Sequence, residues 1–503
     1  MRIALRTVSL LVLLVSFSAP ILGQIRDPIV EPIIKRGLSV EIREVARLPN
    51  TSKIYPADKH RTGWARVNYV RELADGRRFA NDTRGFLYLL DSNKRPDVYL
   101  DAGAIFPLTF YDGLAAGLMS FEFHPEFARN GLFYTSHIEH AMRNPNTPDF
   151  VPPGFTPADS NFHSVITEWR AANPAANVFE GSRRELFRIG NAILNAGHMM
   201  SHLGFNPTAV PGDPDYGLLY TSGTDFGFGN GDGPNAKNPE QTRRLDSIIG
   251  AILRIDPRSP TESGGIKGLG NYTIPPINKY AADGDPETLG EIYAYGFRNA
   301  HRLSWDQTDG TLFAMDIGEK NIEEINIIHE GGNYGWMRRE GFFENGLSRQ
   351  NGALSQAFAL PADILSGERQ DEFSYPVAVY DHSEGEAITA GFAYHGRIPE
   401  LQGKFVFGDI KRGRLFATDL TVLKAADDGI PKTVAPIEEV QLYIRDANGN
   451  RNRTYVTFRE LIEMRLGATV VRADMQISRS RDGEIYITSR QDGTIRMLGP
   501  ESD

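Results

Sequence analysis

A short pattern of hydrophobic and polar positions recurs six times along the chain: a glycine, then alternating large apolar or aromatic residues, then a small or acidic residue. It reads GFLYLLD at Gly85–Asp91, GLFYTSH at Gly131–His137 and GLLYTSG at Gly217–Gly223. It returns as GTLFAMD at Gly310–Asp316, GKFVFGD at Gly403–Asp409 and GEIYITS at Gly483–Ser489. Each copy predicts a half-buried strand reached through a tight turn, because the apolar and aromatic residues suit a pleat and glycine supplies positive φ. Further strand-like runs accompany them: ELFRIG at Glu185, GAILRID at Gly250, GRLFATD at Gly413 and GTIRML at Gly493. Gly85 and Gly131 stand 46 residues apart, close to the ~40–50 of one propeller blade. Later spacings are roughly double, which places long insertions between strands. Six similar units spread over about 400 residues suit a sandwich poorly. The expected fold is therefore all-β, a six-bladed propeller with long loop insertions at 138–180, 224–246, 340–375 and 424–465. Helical periodicity is scarce, the best run being TFRELIEMRL at Thr457–Leu466.

Composition adds three constraints. Of the 503 residues, 41% are hydrophobic and 23% charged, as in a folded globular chain, and the net charge of -10 argues against a nucleic-acid partner. There is no cysteine, which removes disulfides, thiolate metal ligands and a covalently attached haem. The first residues carry Arg2 and Arg6 ahead of a short apolar run, Val8–Phe17, and small residues before Gly23. That order reads as a secretory signal over 1–23, too short to span a membrane, followed by a single domain over 24–503. A periplasmic or secreted location is expected.

Several residues stand out as candidate chemistry. Arg298 and Asn299 lie between a strand and a turn within EIYAYGFRNAHRLSW, and His198 opens HMMSHLGFNP. From the residues alone, His198 reads as a hydrogen-bonded loop histidine ahead of a strand. The HIEH pair, His137 and His140, and the GNGDGPN loop at Gly229–Asn235 are weak metal signals, the latter lacking the rest of a calcium loop.

Taken together, the block from Glu291 to Trp336 (YGFRN, then EEINIIHEGGNYGW), GLMSFEFHPEF at Gly117–Phe127, HMMSHLGFNP, FGDIKRG at Phe407–Gly413 and VRADMQISRSRDGEIYI at Val471–Ile487 resemble the soluble glucose/sorbosone dehydrogenases. These are aldose sugar dehydrogenases that use pyrroloquinoline quinone (PQQ). The resemblance runs from about Arg36 to Leu498. It implies a six-bladed propeller, PQQ and Ca2+ as cofactors, and oxidation of an aldose sugar at C1 to the lactone. Electrons then pass to an external acceptor such as a cytochrome or quinone.

By the same resemblance His198 is the general base and Asp225 the carboxylate that orients it. The usual Gly-Asp is here Gly-Thr-Asp, so Thr224 or Asp225 can hold that place. Arg298 and Asn299 would lie against the quinone, and Lys411 and Arg472 would pair with PQQ carboxylates, with Arg412, Arg414 and Arg479 near in sequence. The main-chain carbonyls of Gly318 and Glu319 would bind calcium, with Glu319 standing where relatives commonly have proline. Ala115 replaces a usual Gln or Glu, which bears on sugar specificity. His124 is expected to fix a turn with Pro125. Two other readings remain: a calcium-dependent propeller hydrolase of lactonase type, and a non-catalytic propeller that binds carbohydrate or protein.

Overall fold

A computed structural model describes residues 28–52, 63–90, 95–113, 115–191, 198, 200, 202–226, 240–350, 353–360, 369, 372–446, 448–455 and 457–499. The 1–23 signal and the Gly229–Asn235 loop lie outside them. The architecture is all-β and propeller-like. Among the described residues, four separate four-stranded sheets follow one another along the chain and a nine-stranded sheet comes after them, while a two-stranded and a three-stranded sheet lie in the connections. Each of the four is antiparallel throughout, the first two as plain meanders such as Val67–Glu72, Arg78–Asp82, Phe86–Leu90 and Pro96–Asp101, the other two with further strands inserted before the fourth. The five α-helices among the described residues are short, the longest being Phe458–Leu466, where the sequence periodicity predicts it.

Six strands face inward: Val67–Glu72, Leu118–Phe123, His202–Phe205, Ala300–Trp305, Ile388–Ala393 and Met475–Arg479. They touch one another in chain order, and the last touches the first, so they line a central channel. Aromatic side chains seal the seams between neighbouring sheets. Phe79 meets Phe123 at 4.7 Å, Tyr220 meets Trp305 at 5.3 Å and Phe313 meets Phe405 at 4.7 Å between ring centroids. Close approach of backbones matters at one seam. Gly117 has φ +126°, and a Cβ there would stand 1.8 Å from the Thr83 carbonyl oxygen.

The recurrent pattern does fall on strands, but not always on the same one. Five copies form the second strand of their sheet, while GFLYLLD forms the third strand of the first sheet. The presumed insertions are also more ordered than loops. Residues 138–180 contain the strand Phe162–Ala171, and 340–375 contain the hairpin Phe343–Gln350 and Ala353–Leu360. Residues 424–465 contain the strands Glu438–Arg445 and Arg451–Tyr455 and most of the longest helix. In Phe162–Ala171 nine of ten residues are buried, so both faces are covered and no polar–apolar alternation marks it as a strand.

The N-terminal strand Ser39–Arg47 joins the two ends of the chain. It pairs antiparallel with Thr494–Leu498, setting Ile42 opposite Leu498, and parallel with Glu438–Arg445, setting Val40 opposite Leu442. Val40 and Ile42 are 2% exposed and belong to the largest apolar cluster. Ile42→Ala is expected to cost about 2–5 kcal/mol through lost burial and the cavity left behind. Urea unfolding of the full chain checks this, and a loss below about 1 kcal/mol would mean that the seam relaxes around the gap.

Candidate active site

The segments that lead into the inner strands meet at one mouth of the channel, and buried carboxylates fix several of them. Asp316 ends the strand Leu312–Asp316; its Oδ2 accepts the Arg298 N–H at 3.0 Å and its Oδ1 accepts that of Asn299. Asp82 does the same for Arg66 at 2.9 Å, and Asp409 for Glu386 and Ala387 at 2.7 and 2.9 Å. At Asp316 and Asp409 the acidic residue closing the recurrent pattern is thus a clamp on the backbone that enters the first strand of the same sheet, and Asp82, outside the pattern, does this from the end of its sheet's second strand. Such charge-assisted bonds also satisfy N–H groups that sheet pairing leaves over.

His198 and Arg298 are tied together through the backbone. Asp225 donates its N–H to the Arg298 carbonyl at 2.7 Å, and Thr224 bridges Asn299. His198 adopts φ +53°, and the Thr224 hydroxyl donates to its carbonyl. Its Nδ1 lies 2.6 Å from Asp225 Oδ1; the Asp225 side chain is fully buried, while 19% of the imidazole remains exposed. Of the two alternatives the sequence leaves open, Asp225 supplies the carboxylate and Thr224 supplies backbone support.

Arg298 is buried, and both of its terminal nitrogens are engaged. Nη1 donates to the carbonyls of Ile317 at 2.9 Å and Gly318 at 2.6 Å, Nη2 pairs with Glu319, and the guanidinium lies 5.8 Å from the Trp336 ring centroid. Burial works against its charge, but Glu319, Asp225 and Glu340 prevail and its pKa is raised. Glu340 holds the same turn from below, its Oε1 accepting the N–H groups of Glu319, Lys320, Asn321 and Ile322 at 2.8–3.1 Å. The Gly318 carbonyl is a hard oxygen of the kind calcium takes. A guanidinium already sits on it at hydrogen-bond distance, and its counter-charge is the Glu319 carboxylate. As arranged, these residues do not fit a calcium ion.

The basic residues behave differently. Ala473 donates its N–H to the Lys411 carbonyl at 2.9 Å, so the Lys411 and Arg472 segments are neighbours. Lys411 pairs with Glu386 and is 40% exposed at its side chain; Arg472 pairs with Asp474 and is 30% exposed. His382, bonded to Glu323 at 2.8 Å, stands between this group and Arg298, feeling Glu340 and Arg298 and acting on Glu386. Behind them Arg490 bonds Asn68 Oδ1 at 2.9 Å. Burial depresses its pKa well below the usual range, and Arg66, Arg302 and Arg472 depress it further against Asp474. This crowding of positive charge suits a polyanion, and the donor set fits a tri-acid such as PQQ.

The other candidates divide between this mouth, where Arg412 stands 3.7 Å from Glu386 and Ala115 precedes an inner strand, and the rest of the molecule. Arg412 and Arg414 bind carbonyls of 382–384, and Arg414 also bonds Glu439 at 2.7 Å. Arg479 ends its inner strand and lies at the far end of the channel. His124 Nδ1 accepts the Glu126 N–H at 3.0 Å, as a turn-fixing role requires. His137 faces Glu139 and stacks on Phe106, whereas His140 packs on Tyr111; among the described residues no group of three metal-binding side chains forms. Ala115 lies in the turn ahead of Leu118–Phe123. Sequence reasoning passed over Asp316, Glu324, Glu340 and Arg490. The available signal for Asp316 was the acid that closes the recurrent pattern.

Asp316 stands opposite Glu324 in strand register. Burial, reinforced by the nearby Asp225 charge, pushes the Asp316 carboxyl up to about 7 against its N–H donors. Burial and Asp316 raise Glu324 well above the carboxylate range. Two buried carboxyls this close hold a proton between them.

A family model described as Glucose / Sorbosone dehydrogenase matches residues 67–453. HIPL1 protein of Arabidopsis thaliana is 27% identical over 325 residues, covering 58% of this chain and 42% of that protein. Aldose sugar dehydrogenase YliI of Escherichia coli is 23% identical over 199 residues, 39% of this chain and 45% of the relative. The matches therefore span less than half the length of these curated relatives. Among solved structures, the soluble aldose sugar dehydrogenase of Escherichia coli in its apo form aligns with a TM-score of 0.56 at 15% identity, covering 92% of this chain and all of the other. The PQQ-bound aldose sugar dehydrogenase of Streptomyces coelicolor aligns with 0.52 at 16% identity, over 92% and 98%. At such identities these two likenesses establish the fold.

The Asp316–Glu324 pair makes stability depend on pH. Unfolded carboxyls ionise near ~4, whereas the folded pair keeps its proton to about 7. Between those values the folded state binds more protons, so the contribution is full below about pH 4 and lost as pH rises through about 7. Glu324→Gln removes the like charge and is expected to flatten this fall. Melting temperatures of both proteins from pH 4.5 to 7.5 test it, and parallel curves would rule the pair out as the source.

Proposed function

This chain belongs to the glucose/sorbosone dehydrogenase family, and from that premise we propose that it is a PQQ-dependent oxidoreductase converting an aldose sugar or related alcohol at C1 to the lactone. The observation that carries the reading is the His198–Asp225 pair, joined by backbone bonds to the Arg298–Asn299 segment. With Nδ1 committed to Asp225, Nε2 is the nitrogen left to take the proton of the C1 hydroxyl. Asp225 fixes the tautomer and stabilises the imidazolium that results. Lys411 and Arg472, with Arg490 behind them, would hold the cofactor's carboxylates, and Asn299 would face its ring. PQQ, when bound, supplies the acceptor for the two electrons that leave C1 as hydride. An external carrier receives them afterwards. Arg298 serves as a fixed positive charge at the mouth, anchored on Gly318 and Glu319. It stands in the position that the sequence resemblance gives to calcium.

The fold that supports this site we read as a six-bladed propeller occupying the chain after residue 23, exported to the periplasm or the exterior. Six inner strands contact one another in a ring. The nine-stranded sheet then counts as two blades, Ile388–Ala393 to Glu438–Arg445 and Met475–Arg479 to Thr494–Leu498 with Ser39–Arg47, in register through three parallel pairs.

Calorimetric titration of PQQ into the full chain, followed by dye reduction with a panel of aldoses, tests the proposal. Saturable binding and turnover are expected; absence of PQQ binding would overturn the dehydrogenase and leave the lactonase-type hydrolase or the binding propeller. His198→Ala is expected to abolish turnover while PQQ binding persists. Asp225→Asn is expected to lower kcat by roughly 10²–10⁴-fold with KM little changed, as when a histidine loses its orienting carboxylate. Because Arg298 occupies the Gly318 carbonyl, millimolar calcium is expected to leave the melting temperature of the cofactor-free chain unchanged. A calcium-dependent rise would show that the guanidinium yields its place.

A further inference from the structure

The inner strands end at the other mouth of the channel, in a cavity of about 310 Å³ to which all six contribute. Its walls carry the rings of Tyr69, Phe123, Phe205, Trp305 and Phe392, and its arginines Arg71, Arg479 and Arg481 outnumber its carboxylates Glu72 and Glu122. Arg71 is matched by Glu122, Nε to Oε2 at 2.7 Å. Arg479 is not matched. It is 7% exposed, lies 5.6 Å from the Phe392 ring centroid and donates Nη1 to the Trp305 carbonyl at 3.3 Å. Among the described residues no carboxylate comes within ion-pair reach of it. Ser304 lines the same cavity at 3% exposure, and its hydroxyl has no hydrogen-bond partner among the described residues. Arg302 adds a further guanidinium close by: it and Arg71 lie 5.4 and 5.1 Å from the Tyr69 ring, and that ring also lines the cavity.

We propose that this second mouth binds a small organic anion, its carboxylate or phosphate meeting Arg479 and Ser304 and its apolar or ring body packing on Phe205, Trp305 and Phe392. A buried guanidinium with no counter-charge is an expensive feature unless a ligand supplies the charge. Its planar fork suits oxyanions, and the cavity volume exceeds what a bare phosphate would fill. The site lies at the opposite end of the channel from His198 and does not depend on the dehydrogenase reading. Burial also pulls the Arg479 pKa down to about 10, with Arg71 adding to the effect and Tyr69 and Asp306 opposing it, so the group stays protonated at neutral pH without a carboxylate paired to it.

Titration calorimetry of the full chain at fixed ionic strength, with benzoate, acetate, phenyl phosphate and inorganic phosphate as separate probes, tests this. Saturable binding of benzoate or phenyl phosphate is expected, tighter than that of the matching small anion, and the preferred pair identifies the anionic group. Arg479→Gln is expected to weaken it by roughly tenfold or more, with Arg479→Lys intermediate, because a charged bidentate contact is lost. Glu122→Gln, which removes one of the two carboxylates of the cavity wall, is expected to tighten it, and it serves as the deciding variant if Arg479→Gln does not fold. Failure of all four probes to bind would overturn the proposal. So would binding that survives Arg479→Gln but is lost in Lys411→Gln, because the anion would then belong to the other mouth.

Discussion

A carboxylate placed at the end of a sheet's second strand, bonded to the backbone that enters its first, is the contact on which the site depends. Asp316 makes two such bonds, to Arg298 and Asn299. Without it those N–H groups would be buried with no acceptor, at about 1–3 kcal/mol each. The same device at Asp82 and Asp409 fixes other segments at that mouth. The constraint has a consequence of its own. A carboxylate buried deeply enough to clamp backbone is also poorly solvated, and with Glu324 opposite it the pair retains a proton.

The clamps act on a ring whose inner strands deliver their starting ends to one mouth and their finishing ends to the other. Chemistry then sorts by strand end. His198, Arg298, Asn299 and Arg472 precede inner strands, whereas Arg71, Trp305 and Arg479 lie at or near their ends. Rigidity follows from cross-links between sheets. The backbone bond from Asp225 to Arg298 and the Thr224–Asn299 bridge join the third sheet to the fourth, so the imidazole and the guanidinium are held by one framework. Positioning of this kind comes from packed strands and backbone bonds, which do not rearrange independently.

Much of this was legible in the amino-acid order. The recurrent pattern marks real strands, and the helix at Phe458–Leu466 shows its period. The strand Phe162–Ala171 escaped notice because full burial erases the alternation that identifies a strand. Arg472 and Arg479 look like neighbours in sequence, but a strand advances about 3.3 Å per residue, so Met475–Arg479 carries the second roughly 15 Å toward the far mouth. The closing acid of the pattern was visible, but its role was not. A carboxylate at a strand end reads as a turn signal until the fold brings the segment entering the first strand of its own sheet within reach.

The Glu319 position shows how far one side chain can redirect a site. A carbonyl such as that of Gly318 is indifferent to the residue that follows it, so a Glu in place of proline leaves the oxygen intact. What changes is the competition for it. A carboxylate one residue on attracts a cation to the same turn, and Arg298 is the cation already clamped beside it by Asp316. Once seated, the guanidinium satisfies the Gly318 and Ile317 carbonyls and the Glu319 charge together. A divalent ion would have to displace that whole set and leave a buried positive charge without partners, which is the most costly arrangement available to the site. The Glu319 carboxylate and the occupied Gly318 carbonyl therefore belong to one arrangement, in which the chain provides the positive charge at this turn from its own side chains.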